Sequence, residues 1–431
     1  MKAIHKFAGM RKFLILWAGQ SVSSLGSAMT NFALILWAYG KQGTASSITS
    51  LSFFTYLPSI LFCFVAGTLA DKWDKKRIML VSDLVAAMGT LTVFILYGSG
   101  QLQIWHLYII NFLISCMNAF QCPASYVALS LLVPKEQYIR ASGLQVFSNS
   151  LVTVVTPALA AAVLSIGGLK TVLTIDLATF ASAFLSLAFF IRIPAVPYKE
   201  EKKEKFLKSC LQGLGFLREH SPVLKMILFF SFINLLAYMT GFGILPAMIL
   251  KRSGDSQVAL SMVSSAVGLG TLAGSILVTL LKPSKNRTRV IFGACAISFL
   301  LCDILWALGR NVPIWVFAAF VGNLPLPFLN ANLSTVMRTK VPTELQGRVF
   351  STRDTIQYCT IPLGLFLGGY LADNVFEPFM AGSSSLSQFL SCLVGTGKGA
   401  GMAVMFLITG VIGLTSSLFS LKSDSLKSLD S

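Results

Sequence analysis

The sequence predicts an all-α membrane protein with twelve transmembrane helices arranged as two six-helix bundles. Three observations carry this. The chain is 55% hydrophobic and only 12% charged over 431 residues, with a mean hydropathy of +0.74, which is too apolar for a soluble globular protein. Apolar runs near the ~20 residues needed to cross a bilayer recur along the whole length. One long polar stretch, 193–222, divides them into two sets of six, so the bundles are expected over 1–192 and 223–431.

The elements follow in order. A basic start (Lys2, Lys6, Arg11, Lys12) leads into the first span, 13–39. That run is longer than a signal-peptide core and lacks a cleavage motif, so it belongs to the mature protein. Further spans are expected at 48–70, 78–97, 104–122, 144–166 and 171–191. The second set is expected at 224–245, 258–281, 290–308, 314–333, 349–371 and 399–421. Between the sets, a charge run from Lys199 to Lys205 precedes apolar residues Phe206, Leu207, Leu211, Leu214, Phe216 and Leu217 at helical spacing. This reads as a cytoplasmic linker with an amphipathic helix lying along the inner surface. The stretch 374–398, rich in serine, reads as an outward loop with a turn or two of helix around 389–394.

Charge sets the orientation. A net charge of +17 on a soluble chain would suggest nucleic acid, but here the cations sit in short loops between apolar spans and match an anionic inner leaflet. No nucleic-acid partner is expected. With both termini cytoplasmic, 26 of the 34 lysines and arginines fall in inner segments and six in outer ones: Lys41, Lys170, Lys251, Arg252, Arg310 and Lys398. That asymmetry selects one topology. Three scattered histidines and eight cysteines without Cys-x-x-Cys spacing suggest no metal site and no cofactor.

The most charged short connection runs from Gly67 to Arg77 and includes Asp71, Lys72, Asp74, Lys75 and Lys76. Its cations read as a topology anchor. The two halves also repeat: Val133-Pro-Lys-Glu-Gln-Tyr-Ile-Arg140 matches Val341-Pro-Thr-Glu-Leu-Gln-Gly-Arg348 as Val-Pro-x-Glu-x-x-x-Arg, each between the fourth and fifth spans of its half. Gly274 to Arg289 stands where a second charged loop of the first kind belongs, with Val278 in place of the aspartate. Gly268, Gly270 and Gly274 lie inside an apolar span, where small residues four apart let helices pack closely.

Polar residues inside spans are costly unless they face the bundle interior. Gln20, Ser24, Ser27 and Asn31 share one face of the first helix, and Asn111, Ser115 and Asn118 one face of the fourth. Asn234 and Tyr238 in the seventh, and Asn323, Pro327 and Asn330 in the tenth, extend the pattern. These side chains either line a substrate cavity or bridge neighbouring helices. Acids within spans are Asp83, Asp176, Asp303 and Asp354; Asp83 is expected in the ion network of the charged loop, and Asp176 and Asp303 toward the outer face as possible protonation sites.

Gly67-x-x-x-Asp71 with the basic residues after it, Trp17-Ala-Gly-Gln-Ser21, Ala119-Phe-Gln-Cys-Pro-Ala124, the paired Val-Pro-x-Glu segments and Gly347-Arg-Val-Phe-Ser351 together resemble bacterial macrolide-efflux proteins of the major facilitator superfamily. The resemblance implies that fold and a secondary transporter, not an enzyme, in a bacterial cell membrane. It implies export of a macrolide-like amphipathic small molecule by alternating access with protons as the coupling ion, from a chain expected to be monomeric. The alternatives are export of a siderophore or other metabolite, or solute import by the same fold. It also implies a cytoplasmic gate from Gly67, Asp71, Lys75, Lys76, Arg77 and Asp83 with Arg348, Arg353 and Asp354, and a central cavity lined by the first and fourth helices of each half. Two departures stand out. Ile114 occupies the place where many proton-coupled exporters of the superfamily carry an arginine, and Thr156-Pro-Ala-Leu-Ala-Ala161 keeps the proline but not the glycines of an antiporter element.

Overall fold

The computed structural model describes residues 11–134, 137–191, 214–281, 284, 286–342 and 346–430. Within these, it leaves out the side chains of 11, 59, 63–72, 123, 126–127, 129–130, 138–140, 142–143, 346–348 and 351. The surroundings of Gly67, Asp71 and Arg348, the 199–205 charge run and Lys282, Lys285, Lys135 and Glu136 therefore lie outside what is described. The elements are helical throughout the described chain.

The first unit comprises residues 1–42 and 51–199. It contains α1 (Arg11–Gln42), most of α2 (Ala45–Lys72), α3 (Lys75–Gly98), α4 (Ile104–Leu132) and α5 (Tyr138–Leu185), the last extended by a π-helical turn at Ser186–Phe190. The continuous α5 is two helices in substance. Gly168 breaks it with φ 67, ψ −173, a conformation that only glycine adopts readily, so the fifth and sixth expected spans meet there almost without a loop. The charged loop is equally short. Asp74 caps α3 by accepting from the Arg77 amide at 2.9 Å, satisfying one of the orphan donors of the first turn.

The second unit comprises residues 43–50 and 200–431. Its elements are α6 (Ser221–Met239), α7 (Leu245–Ser253), α8 (Gln257–Leu280), α9 (Arg287–Ser298), α10 (Leu305–Leu308), α11 (Val312–Asn323), α12 (Leu326–Lys340), α13 (Gln346–Tyr358), α14 (Thr360–Leu371), α15 (Glu377–Ala381), α16 (Ser385–Val394), α17 (Ala400–Lys422) and α18 (Asp424–Lys427). Several are joined by π-helical turns into longer rods: Ser221–Ser253, Arg287–Leu308 and Thr352–Ala381 each form one apolar stretch. Residues 43–50 group with this unit because the Ala45 and Ser46 amides at the start of α2 donate to Asp373 at 3.0 and 2.7 Å.

Nine stretches among the described residues are long and apolar enough to cross a membrane by length and composition. One of them, Leu144–Phe190, holds the two helices that meet at Gly168, and α1 and α4 lie over the first and fourth expected spans. Close packing replaces loop length as the organising device. A Cβ at Gly270 would press on the Phe320 carbonyl oxygen, and one at Gly274 on that of Leu324, so α8 and α11 meet backbone to backbone as the small-residue spacing predicts.

One expectation needs correction. The 374–398 stretch is not mainly loop: helix continues to Ala381 and resumes as α16, capped by Ser384 through the Ser387 amide. Of the linker, only 214–219 is described as helix. Its Phe216 and Leu217 are buried in the core of the second unit with Met226, Phe230 and Phe292, and the rest of the linker lies outside the described residues.

Candidate functional site

The polar face of α1 opens into two cavities within the first unit. The larger, about 390 Å³, is lined by Trp17, Gln20, Ser21 and Ser24 from α1, Met79 from α3, Asn118, Gln121 and Ser125 from α4, and Gln145, Ser148 and Asn149 from α5. The smaller, about 230 Å³, continues along the same helices past Ser27, Thr30, Asn31, Thr55, Thr90, Asn111, Ser115 and Asn118 to Asp176. Asn118 borders both. Every candidate predicted on α1 and α4 therefore lines one or other cavity.

Two buried carboxylates are bonded to residues of these walls. Asp83 accepts from Gln20 Nε2 at 3.1 Å on one oxygen and from Gln121 Nε2 at 2.6 Å on the other. Asp176 accepts from Ser27 Oγ at 3.0 Å and Thr90 Oγ1 at 3.1 Å. Both residues are nearly inaccessible, and among the described residues neither carboxylate has a cation within ion-pairing distance. Each is held by neutral amides and hydroxyls, an arrangement that tolerates either a carboxylate or a carboxylic acid, since an amide or hydroxyl partner can reorient.

Among the described residues, Asp83 is therefore bonded to two residues that line the larger cavity. Of the described loop cations, Lys75 and Lys76 each bond backbone carbonyls. Lys76 Nζ donates to the carbonyls of Ala188 and Ile191, both at 2.8 Å, placing a cation on the unpaired carbonyls that end the sixth span. Lys75 Nζ donates to the Trp73 carbonyl at 3.2 Å. Arg353 bonds its neighbour Asp354 through Nε at 2.9 Å and Nη2 at 2.7 Å, and lies over the Phe350 ring.

The candidates of the second unit behave differently from one another. Asn234 Nδ2 donates to the Gln357 carbonyl at 3.2 Å, tying α6 to α13. Asn323 Nδ2 donates to Ala319 O one turn back at 2.7 Å and approaches Cys302 Sγ at 3.7 Å. Tyr238 stacks on Phe242 with ring centroids 4.6 Å apart, and Asn330 is exposed. Asp303 is buried with Thr240 Oγ1 at 3.4 Å from its carboxylate, and Thr409 Oγ1 in turn lies 3.5 Å from that hydroxyl. Among these, Asn323 spends its amide on its own helix and on Cys302.

Sequence reasoning missed Gln121, Gln145, Ser148 and Asn149. Gln121 lies one turn beyond Asn118 on the same face of α4, and Gln145 and Asn149 are four apart on α5; the spacing that identifies the α1 and α4 faces would have found them.

The family model described as Major Facilitator Superfamily matches residues 16–365. Macrolide efflux protein A of Streptococcus pyogenes is 28% identical over 370 residues, covering 84% of this chain and 90% of that protein. Macrolide efflux protein A of Enterococcus faecalis is 26% identical over 327 residues, covering 74% and 99%. Among solved structures, a mutant form of the nucleoside transporter NupG superposes with a TM-score of 0.71 over 95% of this chain and 99% of its own, at 13% identity. A bacterial homologue of the iron transporter ferroportin, solved inward-facing, gives 0.66 over 94% and 98%, at 14% identity. The last two likenesses are of fold.

Proposed function

Since the chain belongs to the Major Facilitator Superfamily, a family of membrane transporters of small molecules, we propose that it exports an amphipathic, macrolide-like compound by alternating access, driven by proton antiport. The observation that carries this reading is the Asp83 site: a buried carboxylate bound by two cavity amides, Gln20 and Gln121, beside a polar cavity. A transporter that couples substrate to protons needs a group that can hold a proton in one state and release it in another. Asp83 is proposed to be that group, with Asp176 further along the same helices as a second. The relatives named for macrolide efflux supply the substrate class.

In this reading both termini and the 199–205 segment face the cytoplasm, the chain works as a monomer in the bacterial cell membrane, and Asp71 acts with Arg348, Arg353 and Asp354 as the cytoplasmic gate. Small gate energies suit the task. A carboxylate at a helix N-terminus contributes ~0.3–1 kcal/mol and an exposed ion pair ~0–1 kcal/mol, enough to bias a two-state equilibrium without locking it.

The test is the susceptibility of a drug-sensitive bacterial host expressing the protein, measured across macrolides and other amphipathic compounds. Wild type is expected to raise macrolide tolerance and Asp83→Asn to abolish the increase at equal membrane abundance. Unchanged tolerance across the panel would refute drug export and favour a siderophore, another metabolite or import.

A further inference from the structure

Cations on the outer side of a membrane protein run against the inside-positive bias, and four of the six expected there converge on one place. Lys251, Arg252, Arg310 and Lys398 line a single open depression of about 850 Å³ in the second unit, floored by 391–396. The loop is shaped to hold the arginines. Arg252 Nη2 donates to the Val394 carbonyl at 2.6 Å, and Arg310 Nη2 to the Cys392 carbonyl at 2.8 Å. Between them lies Gly395 at φ +89, whose Cβ position is 3.4 Å from Arg252 Nη2 and 3.9 Å from Arg310 Nε. Glycine suits this position by its backbone conformation, and the two guanidinium groups close around it.

Compensation is incomplete. Asp373 lies 3.8 Å from Lys251 but commits its oxygens to the Ala45 and Ser46 amides. Glu377 commits its own to the Gly399 and Met402 amides at the start of α17. Lys398 has no protein partner among the described residues, and four of the five N–H donors of Arg310 are left over. Guanidinium and ammonium groups gathered with spare donors are the chemistry that binds phosphate.

The adjoining helix says which phosphate. On α16, Leu386, Phe389 and Leu393 are 59%, 62% and 41% exposed at i, i+3 and i+7, one apolar stripe, while Ser387 and Val394 are buried beneath. A short amphipathic helix with such a stripe lies in the boundary between headgroups and acyl chains, and its C-terminal end forms the wall of the cationic depression. We propose that this depression binds the phosphate of an anionic phospholipid headgroup, with α16 seated among the acyl chains beside it. The site is independent of the transport cavity.

The test is native mass spectrometry of the purified full-length protein with phosphatidylglycerol or phosphatidylcholine, with and without inorganic phosphate. Wild type is expected to retain phosphatidylglycerol preferentially, and Arg310→Gln or Lys398→Gln to weaken retention about fivefold each, the weight of one basic residue at a membrane surface. Lys41→Gln/Lys170→Gln, the other two cations of the expected outer loops, should change nothing. Lys398 is exposed, so Lys398→Gln answers the question even where Arg310→Gln does not fold. Equal retention of both lipids, or retention unaltered in Lys398→Gln, would overturn the proposal. Displacement of phosphatidylglycerol by millimolar phosphate would overturn the lipid and assign the site to the free anion. Independently, Phe389→Trp should add fluorescence that bromine-labelled acyl chains quench; an unquenched signal would remove α16 from the membrane boundary.

Discussion

Replacing Asp83 by leucine or by asparagine separates what this carboxylate does for folding from what it does for transport. Two amide donors, Gln20 Nε2 and Gln121 Nε2, end on its oxygens at 3.1 and 2.6 Å. Leucine leaves both without an acceptor in a buried site, and each orphaned donor costs about 1–3 kcal/mol, so Asp83→Leu should lose about 2–6 kcal/mol before any packing change. Asparagine offers one oxygen and one NH₂, and either glutamine can turn its own amide to present an oxygen. Both contacts then survive as neutral hydrogen bonds, about half as strong as those to a charged acceptor, and Asp83→Asn should lose no more than about 1–2 kcal/mol. Thermal unfolding in detergent, followed with a thiol-reactive dye, should rank wild type first, Asp83→Asn slightly below and Asp83→Leu well below. Asp83→Leu unfolding at the same temperature as Asp83→Asn would show that the two glutamines do not depend on this acceptor. Transport should rank otherwise: both variants should be inactive, because neither can hold and release a proton at that place.

Three further outcomes are expected. Asn118→Leu, at the residue bordering both cavities, should lower drug efflux with little change in membrane abundance, whereas Asn323→Leu, which removes only bonds to Ala319 and Cys302, should lower thermal stability by about 1 kcal/mol and spare efflux; both are read from efflux rate per molecule and melting temperature. Gly274→Leu should abolish folded protein, read by size-exclusion recovery, because its side chain would collide with the Leu324 carbonyl and Pro327, a backbone contact that cannot yield. Cysteine probes at Ser209 and Ser425 should resist impermeant reagents applied outside intact cells, and labelling at either would reverse the proposed topology.

Periodicity makes the α1 and α4 faces legible without coordinates, since residues spaced by helical turns share a face whatever surrounds them. It does not say what that face meets. In α11, Asn323 fits the same pattern as Asn118 yet folds its amide back onto its own helix at Ala319, a choice the sequence leaves open. Asp83 groups with the charged loop in sequence because it follows Asp74 closely along the chain. At 1.5 Å per residue, however, nine helical residues carry it about 13 Å along α3, far enough to reach Gln20 and Gln121. Gln121 is as legible as Asn118 once glutamine is counted with asparagine, because its amide lies on the same face. Lys76 is legible as a cation at a helix end, but not as a ligand of carbonyls from the sixth span more than a hundred residues away. The break at Gly168 shows in the sequence only as a short gap between apolar runs, since spacing cannot distinguish a loop from a single left-handed glycine.

Proton-coupled macrolide movement in proteoliposomes tests the central claim most directly. Labelled macrolide transport by purified wild type, Asp83→Asn and Asn118→Leu should be followed with a pH gradient of either sign and after its collapse by a protonophore. Wild type should move macrolide against its gradient toward the acidic side and stop when the gradient is collapsed; Asp83→Asn should show no gradient-driven movement and Asn118→Leu a reduced rate. Transport that is indifferent to the pH gradient, or that continues at the wild-type rate in Asp83→Asn, would contradict a proton carried on this carboxylate.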